Sequence, residues 1–184
     1  MRPVPIDRRL LLTGLAAALA LGCSPAVAQD ADPGAIVGTE MMVPQRTVLA
    51  YDGRTAWTDA EQALAASFAR LRAVAGQLGL NPSGPPIADY TDESETDFAF
   101  RAMLPVAVAP TAALPSDVRL VSLPGGAAIR FVHEGSFAEL EVTYERIDDY
   151  LVARGLEPNR SLEEYRKDPG TPDATLTVDI FIFR

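Results

Sequence analysis

Nucleophile and metal chemistry have few residues to draw on in this chain of 184 residues, which holds one histidine, His133, and one cysteine, Cys23. Zinc sites rely mostly on clustered His and Cys, so a zinc centre of the usual kind is excluded, and no metal or cofactor is expected. Any Ser-His-Asp triad has to use His133. That residue precedes Glu134-Gly135 at a strand-to-helix turn, where a structural hydrogen bond is the simpler expectation than general base catalysis. Carboxylates and phenols remain. Asp179 lies inside the apolar stretch Leu176–Phe183, between Val178 and Ile180. An ionised carboxylate must be solvated, paired or set against a ligand, so three readings are open: solvent, a site, or a pair with Arg101. Arg101 holds the comparable place in the first half of the chain, between Phe100 and Ala102. Tyr90 and Tyr165 follow the two helical segments, and each either packs its ring with the hydroxyl in water or lines a pocket. Trp57, Phe68, Phe137 and Tyr144 lie on helix stripes, where core packing is the default. Tyr144 is the one best placed to aim a hydroxyl at a ligand. The acidic run from Asp89 to Asp97 reads as a solvated loop that can draw cations toward a nearby mouth.

The elements that must position these residues are written twice. Thr58-Asp59-Ala60-Glu61 and Ser136-Phe137-Ala138-Glu139 both have the capping-box spacing, Ser or Thr followed three later by Glu. After the first, Trp57, Glu61, Leu64, Phe68, Leu71, Ala75 and Leu78 recur at helical steps; after the second, Phe137, Leu140, Tyr144, Ile147 and Leu151 do so. The spacing predicts helices over about 58–78 and 137–154. Both end alike, in Gly79-Leu80-Asn81-Pro82 and Gly155-Leu156-Glu157-Pro158, where Gly takes the left-handed cap and Pro prevents continuation. A strand kinked at Pro44-Gln45-Arg46 precedes the first helix and one kinked at Pro124-Gly125-Gly126 precedes the second. Each helix is followed by a Tyr-containing strand, Ile87–Thr91 or Leu162–Arg166, and then by an alternating apolar strand, Asp97–Val106 or Ala174–Phe183. Pro110–Pro115 links the halves, about 36–109 and 116–184. The expectation is an α+β fold of tandem pseudo-symmetric βαββ repeats: an antiparallel sheet, two helices on one face, and a ligand pocket between the halves.

Residues 1–28 read as an address rather than structure. Arg8 and Arg9 precede an apolar run of twelve residues, Leu10 to Leu21, and Ala26-Val27-Ala28 forms a small-x-small cleavage site before Gln29. The run is too short for a membrane span of about 20 residues. The expected product is a periplasmic protein with a flexible N-terminus over 29–35, exported by the Sec or the twin-arginine route. The alternative is a lipoprotein anchored to the membrane through Cys23, which follows Leu19-Ala20-Leu21-Gly22. The net charge of −9 argues against a nucleic-acid partner, whose binder would be basic.

Leu123-Pro124-Gly125-Gly126, His133-Glu134-Gly135-Ser136-Phe137, Tyr165-Arg166-Lys167-Asp168-Pro169 and Val178-Asp179-Ile180-Phe181-Ile182 stand in an order and spacing that resemble the GyrI-like family. These are effector-binding domains also found behind AraC-type and MerR-type DNA-binding domains. The resemblance spans about 36–184. It implies a pocket between the halves, lined by aromatic and aliphatic side chains around a buried carboxylate, that takes bulky hydrophobic and often cationic small molecules. It places that carboxylate at Asp179, where the family's usual Glu is one methylene longer. Val178 and Phe183 replace its Thr and Pro. Tyr165, Tyr144, Tyr90, Trp57, Phe100 and Phe181 would complete the ligand-binding set around Asp179. No helix-turn-helix precedes the domain, and an exported chain would not regulate transcription directly. The functional expectation is capture of a lipophilic cation. The rival, also drawn from the family, is hydrolysis of reactive small molecules, with Asp179 and Tyr165 in general acid–base roles. An interaction role like that of gyrase-inhibiting relatives is a third reading, with export making gyrase itself implausible as the target.

Overall fold

The computed structural model describes residues 36–167, 169 and 175–184. The expected leader and flexible N-terminus, Cys23, Asp168 and the start of the last expected strand lie outside these residues. Two successive ββαββ units are present: β1 (Thr39–Val43), β2 (Arg46–Ala56), α1 (Ala60–Gln77), β3 (Ile87–Glu93) and β4 (Asp97–Pro105), then β5 (Arg119–Leu123), β6 (Gly126–Gly135), α2 (Leu140–Ala153), β7 (Arg160–Tyr165) and β8 (Leu176–Phe183). All strand pairs are antiparallel, in the order β1-β6-β8-β7-β3-β4-β2-β5. Exchanging the two units reverses this order onto itself, with the β3–β7 pair at the centre.

Each kink expected within one strand instead divides two strands that part company. β1 leaves its own half to pair with β6, and β5 crosses to pair with β2. The crossing is tight: a Cβ at Gly125 would stand 2.2 Å from the Val43 carbonyl oxygen. Only a residue without a side chain admits that approach.

Short 3₁₀ turns, Trp57–Asp59 and Phe137–Glu139, open the helices. The second carries the expected box: the Glu139 carboxylate accepts the Ser136 N–H at 2.7 Å and its hydroxyl at 2.8 Å. The first does not, because Thr58 sits inside its turn and Ala56 occupies the cap without a side-chain bond. Gly79 and Gly155 adopt φ of 66° and 63°. Leu80 N–H then reaches the Ala75 carbonyl and Leu156 N–H that of Leu151, closing Schellman caps.

The sheet curls into a half-barrel with both helices on one face; the other face is buried in a cluster of strand residues alone, which makes it the inside of the curl. Leu64, Phe68, Leu71 and Ala75 of α1 and Leu140, Ile147 and Leu151 of α2 share one core with Leu49, Phe98, Ile129, Phe131, Val178, Ile180 and Ile182. A second cluster, including Val48, Ile87, Met103, Leu162, Phe181 and Phe183, fills the inner face. Truncating Leu71, which is fully buried, to Ala is expected to destabilise the domain by about 2–5 kcal/mol in chemical denaturation, and Ile147→Ala likewise. A loss below about 1 kcal/mol at both would contradict a shared helix–sheet core.

Candidate functional site

Alternation along β7 sends Leu162 and Glu164 to the inner face and Glu163 and Tyr165 to the helix face. Glu163 is 2% exposed and Tyr165 fully buried. Three phenols converge on this carboxylate. Its Oε2 accepts from Tyr165 at 2.5 Å and from Tyr90, on the adjacent β3, at 2.7 Å. Its Oε1 accepts from Tyr144, on α2, at 2.6 Å. Ala88 stands opposite Glu163 in the β3–β7 register and leaves room for the cluster. Aromatic rings continue outward: Tyr90 packs on Phe98 at 5.4 Å, Trp57 stacks on Phe98 at 4.2 Å, and Phe68 lies 5.3 Å from Tyr165. The Trp57 indole is itself anchored to the Ser94 carbonyl. Among the described residues, no Lys, Arg or His forms an ion pair with Glu163.

Burial first, and then the charge of Glu163, hold the Tyr90 and Tyr165 phenols well above their usual range. Unfolded tyrosines ionise near pH 10, so above that pH the folded chain retains protons that the unfolded chain has lost. Stability is therefore expected to fall as pH rises through about 10, and the fall should be shallower in a Tyr90→Phe/Tyr165→Phe variant. Urea denaturation at a series of alkaline pH values measures it. Equal slopes in the two proteins would remove the phenols from the linkage.

Asp179 occupies a different place. Its neighbours on β8, Val178 and Ile180, face the helices, and Asp179 faces inward with Phe181. There it is gripped by Arg130 at 2.8 Å and Arg166 at 2.5–2.6 Å. Of the three readings open for Asp179, the pair with Arg101 is not formed. Arg101 binds Asp52 at 2.8 Å, because β4 lies across β3 and β7 from β8 in the strand order. Next to Asp179, Arg46 pairs with Glu164 at 2.7 Å across the inside of the curl. Together with Met41, Val43, Pro44 and Phe181 these side chains line an open cleft of about 290 Å³. The sheet therefore separates Asp179 and Phe181 from Tyr165, Tyr144, Tyr90, Trp57 and Phe100. The residue that sequence reasoning missed is Glu163. Its signal was the Glu163–Tyr165 step of two on a strand whose counterpart in the first half also carries a tyrosine, Tyr90.

His133 is a clamp. Its Nε2–H donates to the Ser136 carbonyl at 3.1 Å, and Nδ1 lies 2.7 Å from the Thr143 hydroxyl, tying β6 to the start of α2. The acidic run forms the β3–β4 hairpin, where Arg54 pairs with Asp92 and Asp97. Among the described residues, no three His, Cys, Asp or Glu side chains gather as metal ligands, and no helix is long and apolar enough to cross a membrane.

No curated protein matches the chain in sequence. Solved structures match in shape. EcmrR, in its complex with DNA, shares 14% identity and a TM-score of 0.66 over 79% of this chain, which spans only 56% of EcmrR. A hydrolase from Listeria innocua shares 16% identity and a TM-score of 0.57, covering 80% of this chain and 92% of that one. SAV2435, solved bound to tetraphenylphosphonium, shares 11% identity and a TM-score of 0.52, covering 81% and 94%. At these identities the likeness is one of fold. The model of the GyrI-like small-molecule binding domain matches residues 39–183, nearly the whole described structure, and the chain belongs to that family.

Proposed function

We propose that this domain captures a small hydrophobic cation beside Glu163. The observation that carries the reading is a buried carboxylate held by three phenols, with aromatic rings around it and, among the described residues, no cationic side chain paired to it. Such a site offers a lipophilic cation both charge complementarity and ring faces. Tyr90 and Tyr144 are only partly buried, so a ligand meets these rings before Tyr165. SAV2435, which shares the fold, was solved with a cation of this class. The test is calorimetric titration of tetraphenylphosphonium into the wild-type domain and into Glu163→Gln, with triphenylphosphine oxide as the neutral comparator. Saturable binding of the cation that Glu163→Gln weakens supports the reading; binding that ignores the substitution overturns it. A hydrolytic pairing of Asp179 with Tyr165 has no support in this geometry, since the two face opposite sides of the sheet.

The leader supports a periplasmic place of action, with Arg8-Arg9, the apolar run Leu10 to Leu21 and Ala26-Val27-Ala28 directing export and cleavage. Intact-mass analysis of the exported protein is expected to start at Gln29. A diacylglycerol adduct on Cys23 would place the domain on a membrane instead.

A further inference from the structure

We propose that the arginine-lined cleft inside the half-barrel is a second small-molecule site, one that takes an amphipathic oxyanion. Among the described residues that line it, the cleft brings Arg46, Arg130 and Arg166 against two carboxylates, Glu164 and Asp179. The described lining of the cleft thus carries one surplus positive charge in a chain of net charge −9, in a concave place where low-dielectric walls strengthen its field. Both carboxylates are already engaged: Glu164 by Arg46 Nη1, Asp179 by Arg130 Nη2 and by Nε and Nη2 of Arg166. The donors are not. The Nε atoms of Arg46 and Arg130 are buried and have no hydrogen-bond partner among the described residues. Buried donors without acceptors are uncommon in folded proteins. The Nε–Nη edge of arginine is the fork that carboxylates and phosphates match with two bonds. A ligand oxyanion would supply the acceptor these guanidinium groups lack, with a small turn of the side chain presenting the edge.

The rest of the lining sets the remainder of the ligand. Met41, Val43, Pro44 and Phe181 give the cleft an apolar wall, so a bare inorganic ion would leave it unfilled. At about 290 Å³ the space sits at the small end of ligand sites, which favours a short chain or a single ring. The sheet lies between this cleft and Glu163, so occupancy of one does not exclude the other, and the inference does not rest on the function proposed above.

Octanoate and inorganic phosphate are the probes, titrated calorimetrically into the whole domain at low salt. Octanoate is expected to bind one to one, and saturating tetraphenylphosphonium should leave that binding unchanged. Inorganic phosphate should bind at least about tenfold more weakly, because it lacks the apolar part. Arg46→Gln should weaken octanoate about tenfold, the worth of one charge-assisted hydrogen bond, and Glu164→Gln should tighten it several-fold by removing a competing acceptor. Failure of octanoate to bind at about 10 mM overturns the site. So does binding that ignores both substitutions, or competition with tetraphenylphosphonium. Equal affinity for phosphate overturns the amphipathic assignment. Should Arg46→Gln not fold, Glu164→Gln decides alone: tightening supports the site, and no change or weakening overturns it.

Discussion

Replacing Glu163 by Gln is expected to lower affinity for tetraphenylphosphonium by about ten- to a thousand-fold, or about 1.4–4 kcal/mol, while leaving the fold intact. The size follows from where the charge sits. Glu163 is buried on the helix face, and among the described residues its polar partners are neutral phenols, Tyr90, Tyr144 and Tyr165. Three hydroxyl donors make the ionised form tolerable in that surrounding, but they do not neutralise it. A bound cation would, and in low dielectric the gain is larger than a surface pair gives. Gln keeps the length of the side chain and an oxygen for two of the phenols, and its amide can donate to the third. The substitution also removes the need to desolvate an anion, so the melting temperature should hold or rise. Triphenylphosphine oxide, which meets the same rings without a charge, should change by less than about threefold. Equal losses for the cation and the neutral comparator would mean that the rings alone select the ligand. Glu163→Ala is the wrong test, since it strands three hydroxyls and confounds binding with folding.

What could be read before the structure was known depends on how local each signal is. The two helices and their ends were legible because stripe and cap lie within one element: Leu64 to Ala75 and Leu140 to Leu151 face the core, and Gly79 and Gly155 close their helices as their spacing implies. The capping boxes divide the same way, for Ser136 sits at its cap whereas Thr58 lies inside a 3₁₀ turn. The exchange of β1 and β5 was not legible. Pro44 and Gly125 mark where the chain bends, but the partner of a strand is decided by pairings far along the chain, which no local pattern records. The face of Asp179 was hidden for another reason. β8 is apolar on both sides, with Val178, Ile180 and Ile182 toward the helices and Phe181 and Phe183 toward the interior, so alternation carries no contrast there. On β7 the contrast existed but was masked. Glu163 and Glu164 are adjacent acids on opposite faces, and a polar pair in a short strand reads as one exposed segment. The tyrosines were identified singly; that their three hydroxyls meet on one carboxylate is a property of the β3–β7 junction and of where α2 lies over it.

Asp179→Ala is expected to cost the domain about 3–5 kcal/mol, with little change in cation affinity. Asp179 is 4% exposed and holds Arg130 and Arg166 from two sides, joining β6, β8 and the end of β7. Truncating it leaves two guanidinium groups facing each other beside Arg46, with Glu164 the one carboxylate left among the described residues that line the cleft. Removing the buried partner that two arginines share is more damaging than the net worth of either pair suggests, because Arg130, 27% exposed, is left part-desolvated without a counter-charge, while Arg166, 46% exposed, regains water. At about 2–4 °C per kcal/mol for a chain of this size, the melting temperature should fall by about 6–20 °C. Asp179→Asn, which keeps one acceptor oxygen, should fall between Ala and wild type. The pattern is the inverse of that at Glu163, where removing charge spares the fold and weakens the ligand. Melting temperature and tetraphenylphosphonium affinity measured on Asp179→Ala, Asp179→Asn and Glu163→Gln together separate the two carboxylates. If Asp179→Asn kept its melting temperature and lost the cation as strongly as Glu163→Gln, the charge that meets the ligand would be Asp179, and the inner face of the half-barrel would be the cation site.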